Sequence, residues 1–402
     1  MLVITGYSVL CCPMGRLFTA TKMCEDWPRS FKIAQMSLIT GNPSKYIQGV
    51  GAVKEIGKYT SVLGNKALVT GGRTALSVSQ EAIGESFRAH KVEYVVERFR
   101  GESTRTEIDR LVNIGRENKV NVVIGVGGGK ALDAAKVVSF YLETPLALVP
   151  TIAATDAACS AQAPIYTDEH TFEKLIIRPK NPDLVLVSTD VIVKAPVRFL
   201  VAGMGDAICT KFEAEACRKS SIINFHGGSA GESALWLARW CSDTVLEYGV
   251  EAKKSAEQGV VDEVLEKVVE ACVYASSVSF ENCGLSLAHG YLVGFTGLKE
   301  TQQYLHGEIV GFSTLAHIVL EEHPKEVVDK VFRFCYSVGL PVRLADIGLK
   351  DASRELLMKA IEDSRSKIEW LHNEPFPVTS EMLYEALITA DRMGSELLSR
   401  QH

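Results

Sequence analysis

The sequence predicts an α/β N-terminal domain followed by an all-α C-terminal domain. Short, continuous apolar runs recur between residues 66 and 187, with helical patterns between several of them. That rhythm marks a parallel sheet covered on both faces. After Pro196 the strand-like runs stop and helical spacing takes over. A chain of 402 residues also exceeds what one hydrophobic core usually serves, so two domains are expected.

Residues 1–35 do not match the rest of the chain. Met1 to Cys12 is apolar but has no basic flank, which argues against a secretory signal, and Leu10 before Cys11 is a poor lipoprotein cleavage site. We expect a disordered extension without a part in catalysis, with Met36 as a plausible true start. Residues 36–195 form the expected α/β domain. Its strands are predicted at 66–70, 93–97, 121–126, 146–149 and 184–187, and its helices at 77–90, 106–118 and 130–141. The alternation of 164–178 around the polar centre Thr167-Asp168-Glu169-His170 predicts a β-hairpin. Residues 196–402 form the expected helical domain, with helices at 205–219, 229–248, 256–282, 307–321, 324–338, 352–363 and 380–393. An active site is expected in the cleft between the domains.

Composition excludes several classes. The formal charge is −6 and no Lys/Arg stretch is dense enough for a nucleic-acid face. No apolar run reaches the roughly 18 residues a membrane helix needs. The ten cysteines include no CxxC pair and no zinc-finger spacing, so they read as reduced, buried thiols of a cytoplasmic protein.

Gly127-Gly128-Gly129 follows a buried strand and opens the helix predicted from Lys130. Glycines let a backbone approach a pyrophosphate, and a helix N-terminus supplies free N–H donors. Lys130 can add a positive charge. Two familiar motifs fail on spacing: Walker A would need glycine at 124 and a hydroxyl at 131, where Ile124 and Ala131 stand. GxGxxG starting at Gly125 would need glycine at 130. The turn is therefore a phosphate cradle of another type. Residues 150–160 follow the next strand with small side chains and hydroxyls, suited to a nicotinamide or ribose. Asp156 is their only charge, and an N-cap or turn role is its ordinary alternative.

Asp206, His289 and His306 make a candidate three-ligand set for a divalent metal with a coordination position left open. Each has an ordinary reading as well. Asp206 would cap the helix predicted from 205, and a histidine in an apolar stretch is commonly a hydrogen-bonded core residue. His289 and His306 both stand beside glycines, 17 positions apart at expected helix boundaries. The residues alone leave both readings open.

From Met36 onward the chain resembles the glycerol dehydrogenase branch of the iron-containing alcohol dehydrogenase superfamily. The stretches that carry the resemblance occur in family order: Lys45-Tyr46-Ile47-Gln48-Gly49, Gly127-Gly128-Gly129-Lys130-Ala131-Leu132-Asp133, Pro150 to Ser160, Asn181-Pro182-Asp183, Gly203-Met204-Gly205-Asp206-Ala207, Ala288-His289-Gly290 and His306-Gly307-Glu308. The resemblance implies a dehydroquinate synthase-like architecture and Zn2+ on Asp206, His289 and His306. It implies a catalytic, substrate-contacting Asp156. It also implies a nicotinamide site drawn from Gly127, Gly128, Gly129, Lys130, Asp133, Thr151, Ser160 and Tyr166, with Ala154 and Gln162 at contact positions of changed type. Iron-dependent members have a fourth ligand, a histidine, where this chain has Thr210, which favours the zinc site.

The resemblance further implies a homo-oligomer acting on a small polyol, without nucleic-acid or membrane partners. The expected reaction is reversible oxidation of glycerol or a related vicinal diol to dihydroxyacetone, by hydride transfer to NAD. One departure concerns the cofactor. Members of this branch often place an acid after the first strand to hold the adenosine ribose, and here Gly71-Gly72-Arg73 stands instead. NADP therefore stays in play beside NAD. Rival readings are a glycerol-1-phosphate dehydrogenase, a dehydroquinate-synthase-like lyase, and a nucleotide-binding regulatory protein with a decayed site.

Overall fold

A computed structural model describes residues 37–168 and 172–400, together with three short strand segments, Val3–Thr5, Ser8–Val9 and Phe18–Thr19. Apart from these segments, the extension expected over 1–35 lies outside the described residues. Two compact units emerge. The first contains Gly41–Ala153 and Ala157–Ala195. The second contains Pro196 onward with Ala154–Asp156 and the stretch before Gly41.

Six parallel strands build the first unit: β1 (Tyr46–Gly49), β2 (Lys66–Gly71), β3 (Glu93–Arg98), β4 (Val122–Gly127), β5 (Leu146–Pro150) and β8 (Leu184–Ser188). Their order is β1-β8-β5-β4-β2-β3. The central strands β4, β5 and β8 are buried throughout, which is why their sequences are near-continuous apolar runs rather than alternating ones. Edge strand β1 was not predicted. It is short and half-buried, so Tyr46-Ile47-Gln48-Gly49 shows no apolar run, and its register (Tyr46 opposite Val185) comes from pairing with β8. The predicted hairpin is present as β6 (Gln162–Tyr166) and β7 (Phe172–Ile177), paired antiparallel. Helices α1 (Arg73–Ala89), α2 (Arg105–Glu117) and α3 (Gly129–Leu142) connect the strands.

Strand order reverses beside β2: the chain leaves β2 for β3 on one flank, then crosses back to β4 on the other. Such a switch point, at strand C-termini, is where open α/β sheets bind ligands. Gly71 of β2 pairs with Val126 of β4, so the Gly71-Gly72 turn and the Gly127–Gly129 turn lie side by side.

The second unit is helical: α4 (Val197–Ala207), α5 (Thr210–Ser220), α6 (Glu232–Glu257), α7 (Glu263–Glu270), α8 (Ser276–Cys283), α9 (Leu287–Phe295), α10 (His306–Leu320), α11 (Lys325–Val338), α12 (Arg354–Lys367) and α13 (Ser380–Ser399). Several predicted boundaries are corrected, among them the end of α6, expected at 248 and found at Glu257. The helix expected at 205–219 is two helices, and α4 begins eight residues earlier, directly after Pro196. The helix expected at 256–282 begins only at Glu263, because α6 runs on to Glu257, and it is interrupted by a π-turn, Ala271–Ala275. Helix α9 was not expected at all. Glycines 203, 205, 290 and 294 weakened the helical pattern in α4 and α9. No helix among the described residues is long and apolar enough to cross a membrane.

Candidate active site

In the helical unit, Asp206, His289 and His306 come from α4, α9 and α10 and converge, with their ligand atoms within 4.8 Å of one another. Asp206 Oδ1 lies 3.5 Å from His289 Nε2 and 3.3 Å from His306 Nε2. Asp206 is 1% exposed, whereas the His306 side chain is 37% exposed and forms the open edge of the set. The N-cap role considered for Asp206 is excluded, because Asp206 sits in the last turn of α4 rather than before a helix.

Two glycines bring α4 and α10 together. A Cβ on Gly205 would strike the Gly307 carbonyl, and one on Gly307 would strike the Ala202 carbonyl. These glycines flank Asp206 and His306 in sequence, so the contact that needs them also sets the two ligands face to face. The first turn of α10 is pinned further by Glu308, which accepts the Leu305 N–H at 2.8 Å and pairs with Arg198 at 2.6 Å.

Asp206 Oδ2 accepts the Asp156 backbone N–H at 3.1 Å, and the Asp156 carbonyl accepts the Ser277 hydroxyl. Oδ1, by contrast, is buried without a hydrogen-bond partner. Its spacings to the two imidazoles exceed a hydrogen bond but match the edge of a tetrahedron with bonds of about 2.0–2.1 Å, roughly 3.3–3.4 Å. The residues present therefore fit a cation with N/O ligands. Burial works to raise the Asp206 pKa, but the facing His306 and His289 outweigh it and hold the carboxylate below its ordinary range.

Glu213 is the residue that sequence reasoning missed. Its Oε2 lies 2.8 Å from His289 Nδ1, and its Oε1 accepts the backbone N–H groups of His289 and Ser286 at 3.0 and 2.9 Å. A carboxylate behind a ligating imidazole fixes the tautomer and ring direction, leaving Nε2 as the donor toward a metal. Burial opposes the charged form of His289, but Glu213, Cys209 and Asp206 together lift its pKa well above the ordinary value. Glu213 lies on α5, the helix after the one that carries Asp206, so no single-helix spacing in the sequence links the two. Thr210, at the position of the fourth ligand in the iron branch, is buried with its hydroxyl 3.2 Å from Ser276 Oγ.

In the α/β unit, Gly127 leaves β4 at φ +146°, a conformation L side chains rarely adopt. Gly128 precedes α3 with no side chain capping it, so the first N–H groups of α3 stay available to an anion. A Cβ on Gly128 would stand 2.6 Å from Ile152 Cδ1. Thr151 N donates to the Gly127 carbonyl at 3.0 Å, tying the loop after β5 to the glycine turn. Lys130 is exposed and pairs with Glu102. Lys136, which sequence reading also passed over, is fully buried. Its Nζ reaches Asp133 and Ser160 at 3.0 Å and the Gln162 carbonyl at 2.6 Å, joining three candidate cofactor residues. The Gln162 side-chain nitrogen is buried without a partner. Burial, with the charges of Asp133 and Glu102, pushes the Tyr166 phenol up to about 12. Ala154 and Asp156 belong to the helical unit, while Thr151 and Ser160 belong to the α/β unit. Arg73 is exposed at the start of α1.

The seven cysteines among the described residues are free and buried. Cys209 packs against Glu213, and burial together with that carboxylate pushes its thiol well up.

Residues 43–189 match the family model of iron-containing alcohol dehydrogenases. The chain is 42% identical to glycerol dehydrogenase of Citrobacter freundii over 91% of its length and all of that protein, and 45% identical to the Thermotoga maritima glycerol dehydrogenase over 88% of its length and 96% of that one. A crystal structure of a probable glycerol dehydrogenase from Sinorhizobium meliloti 1021 superposes with a TM-score of 0.85 at 36% identity, covering 90% of this chain and all of that one. With relatives above 40% identity matched almost end to end and the family model matching the segment that holds the glycine turn, this chain is a polyol oxidoreductase that belongs to the glycerol dehydrogenase group of the iron-containing alcohol dehydrogenases.

Proposed function

We propose that the protein is a zinc-dependent glycerol dehydrogenase that uses a nicotinamide cofactor. The observation that carries the metal reading is the partnerless, buried Oδ1 of Asp206 facing two imidazole nitrogens. Asp206, His289 and His306 would hold the ion. Two nitrogens and one oxygen suit zinc, and three protein ligands leave room for an alcohol. Thr210, engaged with Ser276, adds no fourth imidazole. When bound, the cation supplies Lewis acidity that brings the pKa of an alcohol toward neutrality.

The chain's own residues do the rest. Glu213 orients His289, and the Asp156 N–H holds Asp206 Oδ2 so that Oδ1 stays directed at the imidazoles. His306, at the open edge, marks where a small diol enters. The Asp156 side chain orients that diol or passes its proton to water. The Gly127–Gly129 turn and the N–H groups of α3 receive the pyrophosphate, and Thr151, Ser160, Gln162 and Tyr166 line the remainder of the cofactor. The net reaction is oxidation of glycerol to dihydroxyacetone with a hydride delivered to NAD. NADP is the alternative acceptor, because no acid follows β2 and Arg73 stands free to meet a 2′-phosphate. The dehydrogenase is expected to work as a homo-oligomer.

One panel tests this reading. Purified enzyme is assayed with NAD and with NADP against glycerol, 1,2-propanediol and butanediol, before and after chelation and zinc return. Glycerol-dependent reduction of a nicotinamide that is lost on chelation and restored by zinc is expected. Turnover unaffected by a chelator that removes all metal would refute it.

A further inference from the structure

A second group of ligating side chains meets inside the helical unit. His317 lies in α10, Glu321 follows one turn later at its C-terminal cap, and Glu374 follows the short turn Trp370–His372. Their ligand atoms lie within 4.8 Å of one another. His317 Nε2 stands 3.4 Å from Glu321 Oε2 and 3.3 Å from Glu374 Oε1. His317 is 0% exposed and Glu374 1%. Both ring nitrogens of His317, and Oε2 of Glu374, are buried without hydrogen-bond partners.

The spacing separates this group from ordinary hydrogen bonding around it. His323 Nε2 lies 2.7 Å from the same Glu321 oxygen, and the Ser286 hydroxyl lies 2.5 Å from Glu374 Oε1. Both are hydrogen-bond lengths. The His317 distances are instead those between neighbouring ligands of a tetrahedral ion, and they repeat the 3.3 and 3.5 Å of the Asp206 set. Charge points the same way. With the His317 ring protonated, the two carboxylates keep a negative charge that only His323, beside Glu321, can offset, and burying unpaired charge is costly. A dication cancels it.

We propose that His317, Glu321 and Glu374 form a second divalent-cation site that takes zinc. Its role is structural: the ion ties the end of α10 to the segment after residue 372. Glu321 and the partly exposed His323 form the side from which an ion enters. The inference stands apart from the proposed function, since none of its ligands belongs to the Asp206 set.

The test counts metal on the full-length protein, stripped with chelator, reloaded with excess zinc and gel-filtered. Two zinc ions per chain are expected in the wild type, one in Asp206→Asn, one in His317→Gln and none in the double variant. One zinc in the wild type with none in Asp206→Asn would overturn the proposal and leave a buried ion triad. One zinc persisting in the double variant would overturn it too. Circular dichroism checks each fold, and if His317→Gln does not fold, Glu321→Gln takes its place. Cobalt gives an independent readout: Asp206→Asn loaded with Co2+ should keep visible tetrahedral absorption, and a colourless protein would count against the site.

Discussion

The carboxylate of Glu213 touches no candidate substrate position, yet it sets what His289 can do. It holds Nδ1 at 2.8 Å and anchors the first turn of α9 through two backbone N–H groups. Glu213→Gln should therefore weaken zinc binding by about 10–100-fold and leave activity recoverable with excess zinc. Competition titration against a chromophoric chelator measures this, and an unchanged affinity would remove Glu213 from the metal's support. His289 also gives the site a pH dependence. Its pKa is raised above the ordinary 6.5, so in chelated protein its pairing with Glu213 and Asp206 contributes stability that is full below that value. That stability is lost as pH rises through the raised pKa. A cation needs the neutral ring, so zinc affinity should run the other way and weaken by about tenfold per pH unit as pH falls. A pH-independent dissociation constant between about pH 6 and 8 would contradict this. At this scale the convergence of Asp206, His289 and His306 was legible because each stands beside glycine in a recognisable stretch. Glu213 was not, because a lone glutamate on a predicted helix looks like a solvated charge.

Among the elements, α4 and α9 show where sequence reasoning stopped and why. Glycines at 203, 205, 290 and 294 lower helix propensity and read as breaks, yet at least Gly205 is there for helix–helix contact rather than for a turn. Strand β1 was invisible for the opposite reason, since its conformation is imposed by pairing with β8 and leaves no apolar run to read. The central strands, buried on both faces, were the most legible parts of the chain. The close crossing of α4 and α10 makes a prediction of its own. Gly205→Ala pushes a methyl group against the Gly307 carbonyl, so the helices must separate, at about 1–3 kcal/mol for overpacking. Because Asp206 and His306 flank that contact, zinc content should fall together with melting temperature. A variant that melts lower but keeps full zinc occupancy would show that the crossing does not set the ligands. In the other unit, Gly128→Ala meets only the flexible tip of Ile152. The fold should survive while the KM for the nicotinamide rises, and an unchanged KM would argue against close backbone approach there.

For the molecule as a whole, the two candidate ligands fall in separate compact units, and stability should report them separately. The metal set joins α4, α9 and α10 of the helical unit, whereas the glycine turns belong to the α/β unit. A ligand that binds only the folded state adds about 2.7 kcal/mol at a hundredfold excess over its dissociation constant. For a unit of about 200 residues that corresponds to a rise in melting temperature of roughly 5–10 °C. Zinc returned to chelated wild type should raise the melting temperature by at least that much. The same addition to Asp206→Asn should give only the part that belongs to the His317 group. NAD should give a shift of its own in Asp206→Asn, since no residue of the glycine turns depends on Asp206. Differential scanning calorimetry with chelator, zinc and NAD in turn resolves these contributions. Zinc stabilising Asp206→Asn as strongly as wild type would sink the assignment of the catalytic ion to Asp206, whatever the fate of the second site.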